Sequence, residues 1–183
     1  MADIFKELGE LALGSRLKKI SDAMLKDSVA FYQQNNVAFE ARWFPIFYTL
    51  TTATEPLSIL TVSERTGLVH PTVVQLANEL EAAGLIQSEK SVADTRRRLM
   101  SLTPKAQELL PTLRELWAVF SETNLQLLQK QKHNLLFALE EAEALWANFS
   151  ELLSENLKKR QANNIEIVDY RPKWKADFNS LAN

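Results

Sequence analysis

One stretch, residues 57–103, constrains the fold more than any other, because two short helical segments are followed there by two strand-like segments. Ser58 precedes the first helical segment and can accept a hydrogen bond from a free backbone N–H at its start. Gly67 stands where that segment must end with a positive φ. Pro71 stands at or near the start of the second segment, where its missing N–H costs nothing, and Gly84 ends it. The pattern predicts two helices joined by a tight turn.

The apolar residues of the same stretch predict which faces are buried. In the second helix they recur at helical spacing, at Val73, Leu76, Ala77 and Leu80. Leu85 and Ile86 then start a strand, and Met100 and Leu102 alternate with polar neighbours on its partner. Two helices joined by a Gly-containing turn form a helix-turn-helix, and the hairpin makes it winged. The predicted fold class is therefore mainly α with a small β-hairpin wing and long terminal helices.

These residues resemble the MarR family of bacterial transcription regulators. The motifs that carry the resemblance are Gly84-Leu85-Ile86, Asp94-x-Arg96 and Leu99-x-Ser101-Leu102-Thr103-Pro104. The wing pattern is more specific than the helix-turn-helix alone, and the flanking helices extend the resemblance over roughly residues 5–160. The resemblance implies a homodimeric regulator, more often a repressor, that binds a pseudo-palindromic DNA duplex. It also implies that a small apolar or aromatic ligand weakens that binding.

Composition limits the other classes of function. The chain has 183 residues, 46% of them hydrophobic and 24% charged, which suits one soluble domain with a core. The formal net charge of −2 means that affinity for DNA must come from a local basic patch. The absence of cysteine excludes disulfides and thiolate chemistry. With no long apolar run and no signal-peptide order at the start, we expect a cytoplasmic protein without membrane contact.

The expected domain covers residues 1–160, with a DNA-binding lobe at about 55–104. Amphipathic helices at about 3–32 and 104–158 flank it, and the glycines of the first helix permit a break there. A polar run near residues 130–134 interrupts the second of these regions, before one last helix. The wide apolar stripes predict dimerisation. The alternative is that these helices fold back on their own domain.

The remaining residues, 161–183, are predicted to be a linker and tail. Residues 165–178 resemble the start of a GNAT acetyltransferase domain, which follows such a helix in some MarR-like proteins. All four glycines lie at or before Gly84, so no glycine-rich loop for the pyrophosphate of acetyl-CoA is present. We therefore expect no enzyme activity and no cofactor. The alternative is a regulatory fragment of a MarR–acetyltransferase fusion.

The segment 37–51 is strongly apolar, and Pro45 predicts a kinked or two-part helix there. Aromatic residues at helical spacing form either core or the wall of a ligand pocket. The candidate pocket residues are Trp43, Phe44, Phe47 and Tyr48.

Residues near the start of a recognition helix contact base edges. Here these are His70, Pro71, Thr72 and Gln75. Gln75 can pair bidentately with adenine, Thr72 can contact a thymine methyl, and His70 can reach guanine or phosphate. Alternatively, Thr72 satisfies backbone N–H groups and His70 is an ordinary surface residue. Glu79 and the apolar neighbours leave this helix with little positive charge.

The wing supplies the positive charge, at Lys90, Arg96, Arg97 and Arg98. The resemblance implies that Arg96 enters the minor groove and that Asp94 supports the wing arginines. A narrow A·T-rich groove concentrates the negative potential that an arginine can meet. Ser58 is a further candidate phosphate contact. The alternative is a solvated charged turn.

No catalytic set is visible in the sequence. His70 and His133 lie in different elements and lack acidic neighbours at metal-ligand spacing, so no metal site is expected. The poor charge of the recognition helix leaves a rival function open, a protein-interaction module of winged-helix fold that does not bind DNA.

Overall fold

The computed structural model describes residues 3–90 and 97–162. Short 3-10 helices at Gly9–Ala12 and Ala41–Trp43 accompany the regular elements. In chain order, these elements are α1 (Ile4–Glu7), α2 (Leu13–Gln34), α3 (Phe44–Thr51), β1 (Leu57–Ser58), α4 (Ile59–Thr66), α5 (His70–Ala82), β2 (Ile86–Lys90), β3 (Arg98–Leu102), α6 (Pro104–Gln129), α7 (Leu135–Trp146) and α8 (Phe149–Ala162). The mainly helical fold class with a small wing is confirmed.

The sheet of the described residues is antiparallel, with strand order β1-β3-β2. In β2 and β3 the register pairs Ile86 with Leu102 and Lys90 with Arg98, as the predicted hairpin requires. The pairing of Leu57 with Met100 adds β1 at the other edge of β3. This third strand was not predicted from the sequence, because two residues are too short to show an alternating pattern.

The chain divides into two compact units, and residues 13–114 form one of them. Its core brings together α3, α4, α5, the sheet and the start of α6. The fully buried side chains at its centre are Ile46, Phe47, Val62, Val73, Ala77, Leu80, Leu85, Ile86, Met100, Ala106 and Leu113. The predicted apolar face of α5 is therefore the face that enters the core.

Local chemistry sets the boundaries of the helix-turn-helix as predicted. The Ser58 hydroxyl accepts the Thr61 backbone N–H at 3.1 Å, which caps α4. Gly67 ends α4 with φ of +71°, in the left-handed region that favours glycine. Pro71 lies in the first turn of α5. In the turn between the helices, the Ser63 hydroxyl donates to the Leu68 carbonyl.

The end of α5 is tied to the start of α6. The Thr103 hydroxyl accepts the Ala106 N–H at 3.2 Å and donates to the Gly84 carbonyl at 2.7 Å. The Lys105 ammonium donates to the Ala83 carbonyl at 2.7 Å. One side chain thus caps α6 while it holds the turn that follows α5.

Three helix predictions needed correction or refinement. The first helix breaks at Gly9, where φ is +54°, and α2 then runs on to Gln34. Pro45 does not kink a helix but lies in the first turn of α3, where a missing N–H is tolerated, and residues 37–40 are not helical. The predicted last helix is two helices, because α7 ends at Trp146 and α8 begins at Phe149.

Among the described residues, the other unit comprises residues 3–12 and 115–162. Neither α7 nor α8 buries a residue within the chain. Their exposed large apolar side chains are Leu136, Phe137, Leu145, Trp146, Phe149, Leu152, Leu153 and Leu157. Across the break between the two helices, the rings of Trp146 and Phe149 stack with their centroids 5.6 Å apart.

In residues 3–90 and 97–162, none of the helices combines the length and the hydropathy that crossing a bilayer would require.

The core predicts that Phe47 and Phe44, three positions apart on α3, differ sharply in their effect on stability. Phe47 is fully buried, whereas Phe44 is 39% exposed. Phe47→Ala should lower the free energy of unfolding by about 3–5 kcal/mol through lost burial and a cavity. The control Phe44→Ala should cost less than about 1 kcal/mol. Urea unfolding followed by far-UV circular dichroism measures both, and equal losses would contradict the assigned core.

Candidate nucleic-acid interface

Helix α5 turns one face to the core and leaves its N-terminal end and opposite face open. His70, Pro71 and Gln75 are exposed, and Thr72 is half-buried. Val69 precedes α5 without a side-chain cap. The structure thus places the four predicted base-contacting residues together at an accessible end of the helix, in the arrangement that a recognition helix needs.

Three side chains surround Glu79, in the C-terminal half of α5. The Trp43 indole N–H donates to Glu79 Oε2 at 2.9 Å, and Arg42 Nη2 lies 3.2 Å from the same oxygen. The Gln75 amide donates to Glu79 Oε1 at 3.2 Å. Both oxygens of the carboxylate are therefore engaged, and α5 is joined to the segment that precedes α3.

Glu79 remains ionised at neutral pH. The hydrogen bond from Trp43 is the largest cause that lowers its pKa from the ordinary value of 4.5, partial burial opposes it, and Gln75 and Arg42 lower it further. A carboxyl with a lowered folded pKa stabilises the protein above its unfolded pKa, and this stabilisation is lost as the pH falls through the folded value. The network is therefore formed in full at neutral pH.

Arg98 of β3 ties the wing to α5. Its guanidinium donates to Ser88 Oγ at 2.8 Å and to Asn78 Oδ1 at 2.6 Å, and it forms an ion pair with Glu81. The planar fork suits such a set of acceptors. Arg98 therefore faces α5, whereas Lys90, its partner in the hairpin register, is exposed.

The other residues that were predicted to contact DNA differ from one another in their surroundings. Arg97 is exposed at the start of the returning strand. Asp94 and Arg96 lie outside the described residues. The Ser58 hydroxyl is used as the cap of α4 and is 2.9 Å from the Thr61 hydroxyl.

The candidate pocket residues divide into two pairs. Trp43 and Phe47 are buried, and each makes an edge-to-face contact with Phe39 at centroid distances of 5.7 and 5.2 Å. Phe44 and Tyr48 are exposed, with ring centroids 5.3 Å apart. Two of the four aromatic rings thus belong to the core, and two remain accessible.

No role was predicted from the sequence for Arg42, Asn78 or Glu81, and Glu79 was interpreted only as a negative charge. The one local signal was the spacing of Gln75 and Glu79, because side chains four residues apart on a helix meet. In the described ranges, no three His, Cys, Asp or Glu side chains lie close enough together to hold a metal ion.

Comparison with known proteins agrees with this geometry. The model of the MarR family matches residues 39–97, from the aromatic segment through the helix-turn-helix to the wing. Over these residues the chain is similar to the MarR family. No curated protein sequence matches the chain.

Solved structures of MarR-type regulators share the fold. NMB1585, a MarR family regulator from Neisseria meningitidis, is 25% identical, with a TM-score of 0.56 over 79% of this chain and 95% of its own. MepR of S. aureus, solved as a DNA complex, is 21% identical, with a TM-score of 0.55 over 77% and 95%. PcaV from Streptomyces coelicolor, solved with its natural ligand, is 20% identical, with a TM-score of 0.57 over 81% and 98%.

The Arg98 network predicts that this residue limits the motion of the wing. Arg98→Ala should raise amide hydrogen exchange in β2 and β3, because the hairpin loses its side-chain bonds to α5. Global stability should fall by less than about 1 kcal/mol, since Glu81 is partly exposed. Lys18→Ala, which breaks an exposed ion pair on α2, is the control and should leave exchange in the hairpin unchanged. Unchanged exchange in Arg98→Ala would contradict the tie.

Proposed function

We propose that this chain is a MarR-family transcriptional repressor that binds a pseudo-palindromic DNA duplex as a homodimer. In this proposal α5 lies in the major groove and the wing reaches the adjacent minor groove. The observation that carries it is the open N-terminal end of α5, where His70, Pro71, Thr72 and Gln75 lie together. Side chains at this position of a recognition helix reach base edges.

The charges of α5 support contact with DNA despite the acidic residues. Arg42 faces Glu79, and Arg98 is paired with Glu81, so neither carboxylate stands as an uncompensated charge beside the duplex. Lys90 and Arg97 are exposed at the wing. In the proposal Arg96 enters the minor groove, where a narrow A·T-rich tract attracts a cation, and Arg98 holds the wing in place.

The proposed homodimer is supported by the apolar surface of the terminal helices. Leu17, Ile20 and Met24 of α2 are exposed at helical spacing, and α7 and α8 bury nothing within the chain. Exposed apolar surface of this extent on a helix of a monomer marks an interaction site. A second copy is the simplest partner, because it gives the symmetry that a pseudo-palindromic duplex requires.

A small apolar or aromatic ligand that weakens DNA binding completes the proposal. Phe44 and Tyr48 are the aromatic candidates that a ligand can reach, because Phe47 is fully buried. The similar PcaV structure contains the natural ligand of that protein. In this chain Phe44 follows Trp43, and the indole N–H of Trp43 is hydrogen-bonded to Glu79 of α5. A ligand that contacts Phe44 would therefore touch the residue next to this bond.

The recognition helix and the wing should contribute to DNA binding in different ways. Gln75→Ala should cost about 1–3 kcal/mol on the preferred duplex and relax the choice at one base pair per half-site. Arg96→Ala should weaken binding to most duplexes and reduce the slope of log affinity against log salt by about one unit. Titrations at two salt concentrations measure both, on a duplex selected from a random pool and on a scrambled duplex.

Lys18→Ala is the matched control for these titrations, because it removes one positive charge on α2, outside the proposed DNA interface. It should bind like the parent protein. If Arg96→Ala also binds like the parent, the wing does not enter the groove. If the parent binds neither duplex at low salt, the interaction-module function replaces DNA binding.

The terminal helices should hold a dimer at micromolar concentration. Light scattering should give twice the chain mass of 20.8 kDa. Leu145→Asp places a charge at a side chain that is 70% exposed within the chain and should produce monomers. Leu60→Asp, at an exposed leucine of α4, is the control and should leave the dimer intact. A parent protein of monomer mass would contradict the proposed assembly.

A further inference from the structure

We propose that Glu79 is a specificity-determining residue that fixes which way round the Gln75 amide faces, and thereby selects adenine. The inference rests on the proposed contact between Gln75 and a base. In it, Glu79 touches no DNA and acts as a positioning residue through Gln75.

The carboxylate permits one orientation of its neighbour. An ionised carboxylate only accepts hydrogen bonds, so the Gln75 group that faces Glu79 Oε1 must be the amino group and not the carbonyl. The distance of 3.2 Å between Gln75 Nε2 and Glu79 Oε1 agrees with this bond. Without such a partner, an exposed amide could turn by 180° and interchange its donor and acceptor.

Glu79 itself is held from the opposite side. Its second oxygen accepts the N–H of Trp43, a buried side chain in edge-to-face contact with Phe39, and lies beside Arg42. The Glu79 side chain is only 24% exposed. Because the indole is fixed by packing and both partners are donors, the carboxylate presents a stationary acceptor to Gln75.

The remaining hydrogen-bonding groups of Gln75 then have a set order. One N–H is bonded to Glu79, which leaves the second N–H and the carbonyl oxygen on the exposed edge of the amide. This pair matches the N7 acceptor and the N6 amino donor that adenine presents in the major groove. A reversed amide would set its donor against the adenine amino group and its acceptor against N7. The amide orientation therefore decides whether adenine is favoured.

Glu79→Gln tests the proposal with little change in shape. Trp43 and Arg42 are both donors, so they should hold the carbonyl of the new amide and turn its amino group toward Gln75. The Gln75 amide should then reverse. The readout is a set of four duplexes, based on one selected with the parent protein, that differ only at the base pair where Gln75→Ala relaxes selectivity.

The parent should prefer adenine at that base pair by roughly 5- to 150-fold, the range expected for one bidentate contact. Glu79→Gln should reduce the preference at least tenfold, or to none where the parent preference is smaller. Glu81→Gln is the matched control, because it neutralises a carboxylate on the same helix that pairs with Arg98. It should keep the preference. On a Gln75→Ala background, Glu79→Gln should change selectivity no further, and thermal unfolding checks that each variant is folded.

The outcomes separate this inference from the proposed function. If Glu79→Gln weakens binding to all four duplexes equally, or leaves the preference intact while Gln75→Ala removes it, Glu79 only supports the helix and the inference is overturned. If Gln75→Ala alters the preference at no base pair of a duplex that the parent binds, the base contact is wrong, and the inference falls with it. If the parent binds no duplex, the DNA-binding function itself fails.

Discussion

Burial of one face of α5 is the constraint on which the rest of the candidate interface depends. Val73, Ala77 and Leu80 are fully buried in the core of residues 13–114. A helix with three such positions cannot rotate about its axis without exposing apolar surface. Each Å² of apolar surface that is exposed costs roughly 25 cal/mol of free energy. The direction of every other side chain of α5 follows from this. The core thus determines that Gln75 is exposed and that Glu79 lies near Trp43.

The parts of the fold that were predicted from sequence depend on neighbours in the chain. Ser58 and Gly67 act within one helical turn of their own position, so their residue type was enough to locate helix boundaries. The break between α7 and α8 contains neither glycine nor proline, and no local signal marked it. The role of Pro45 was misjudged because a proline in the first turn of a helix and one that kinks a helix have the same local signature.

The contacts of the candidate site that were not predicted join residues that are far apart in the chain. Trp43 and Glu79 are separated by 36 residues, and Arg98 lies 20 residues from Asn78. Such pairs form only when the core has brought α5 beside the residues before α3 and beside β3. The exposed candidates on α5 could be predicted from the sequence because they share one helix, whereas Glu79 was interpreted as an isolated negative charge. Its partners change that interpretation, since the charge is used to hold other side chains.

The link between α5 and α6 also limits how these two helices can move relative to each other. Thr103 is the single residue between β3 and α6, and it binds the Gly84 carbonyl, while Lys105 binds the neighbouring Ala83 carbonyl. A rotation of the first turn of α6 would therefore have to break these two hydrogen bonds or carry the C-terminal end of α5 with it.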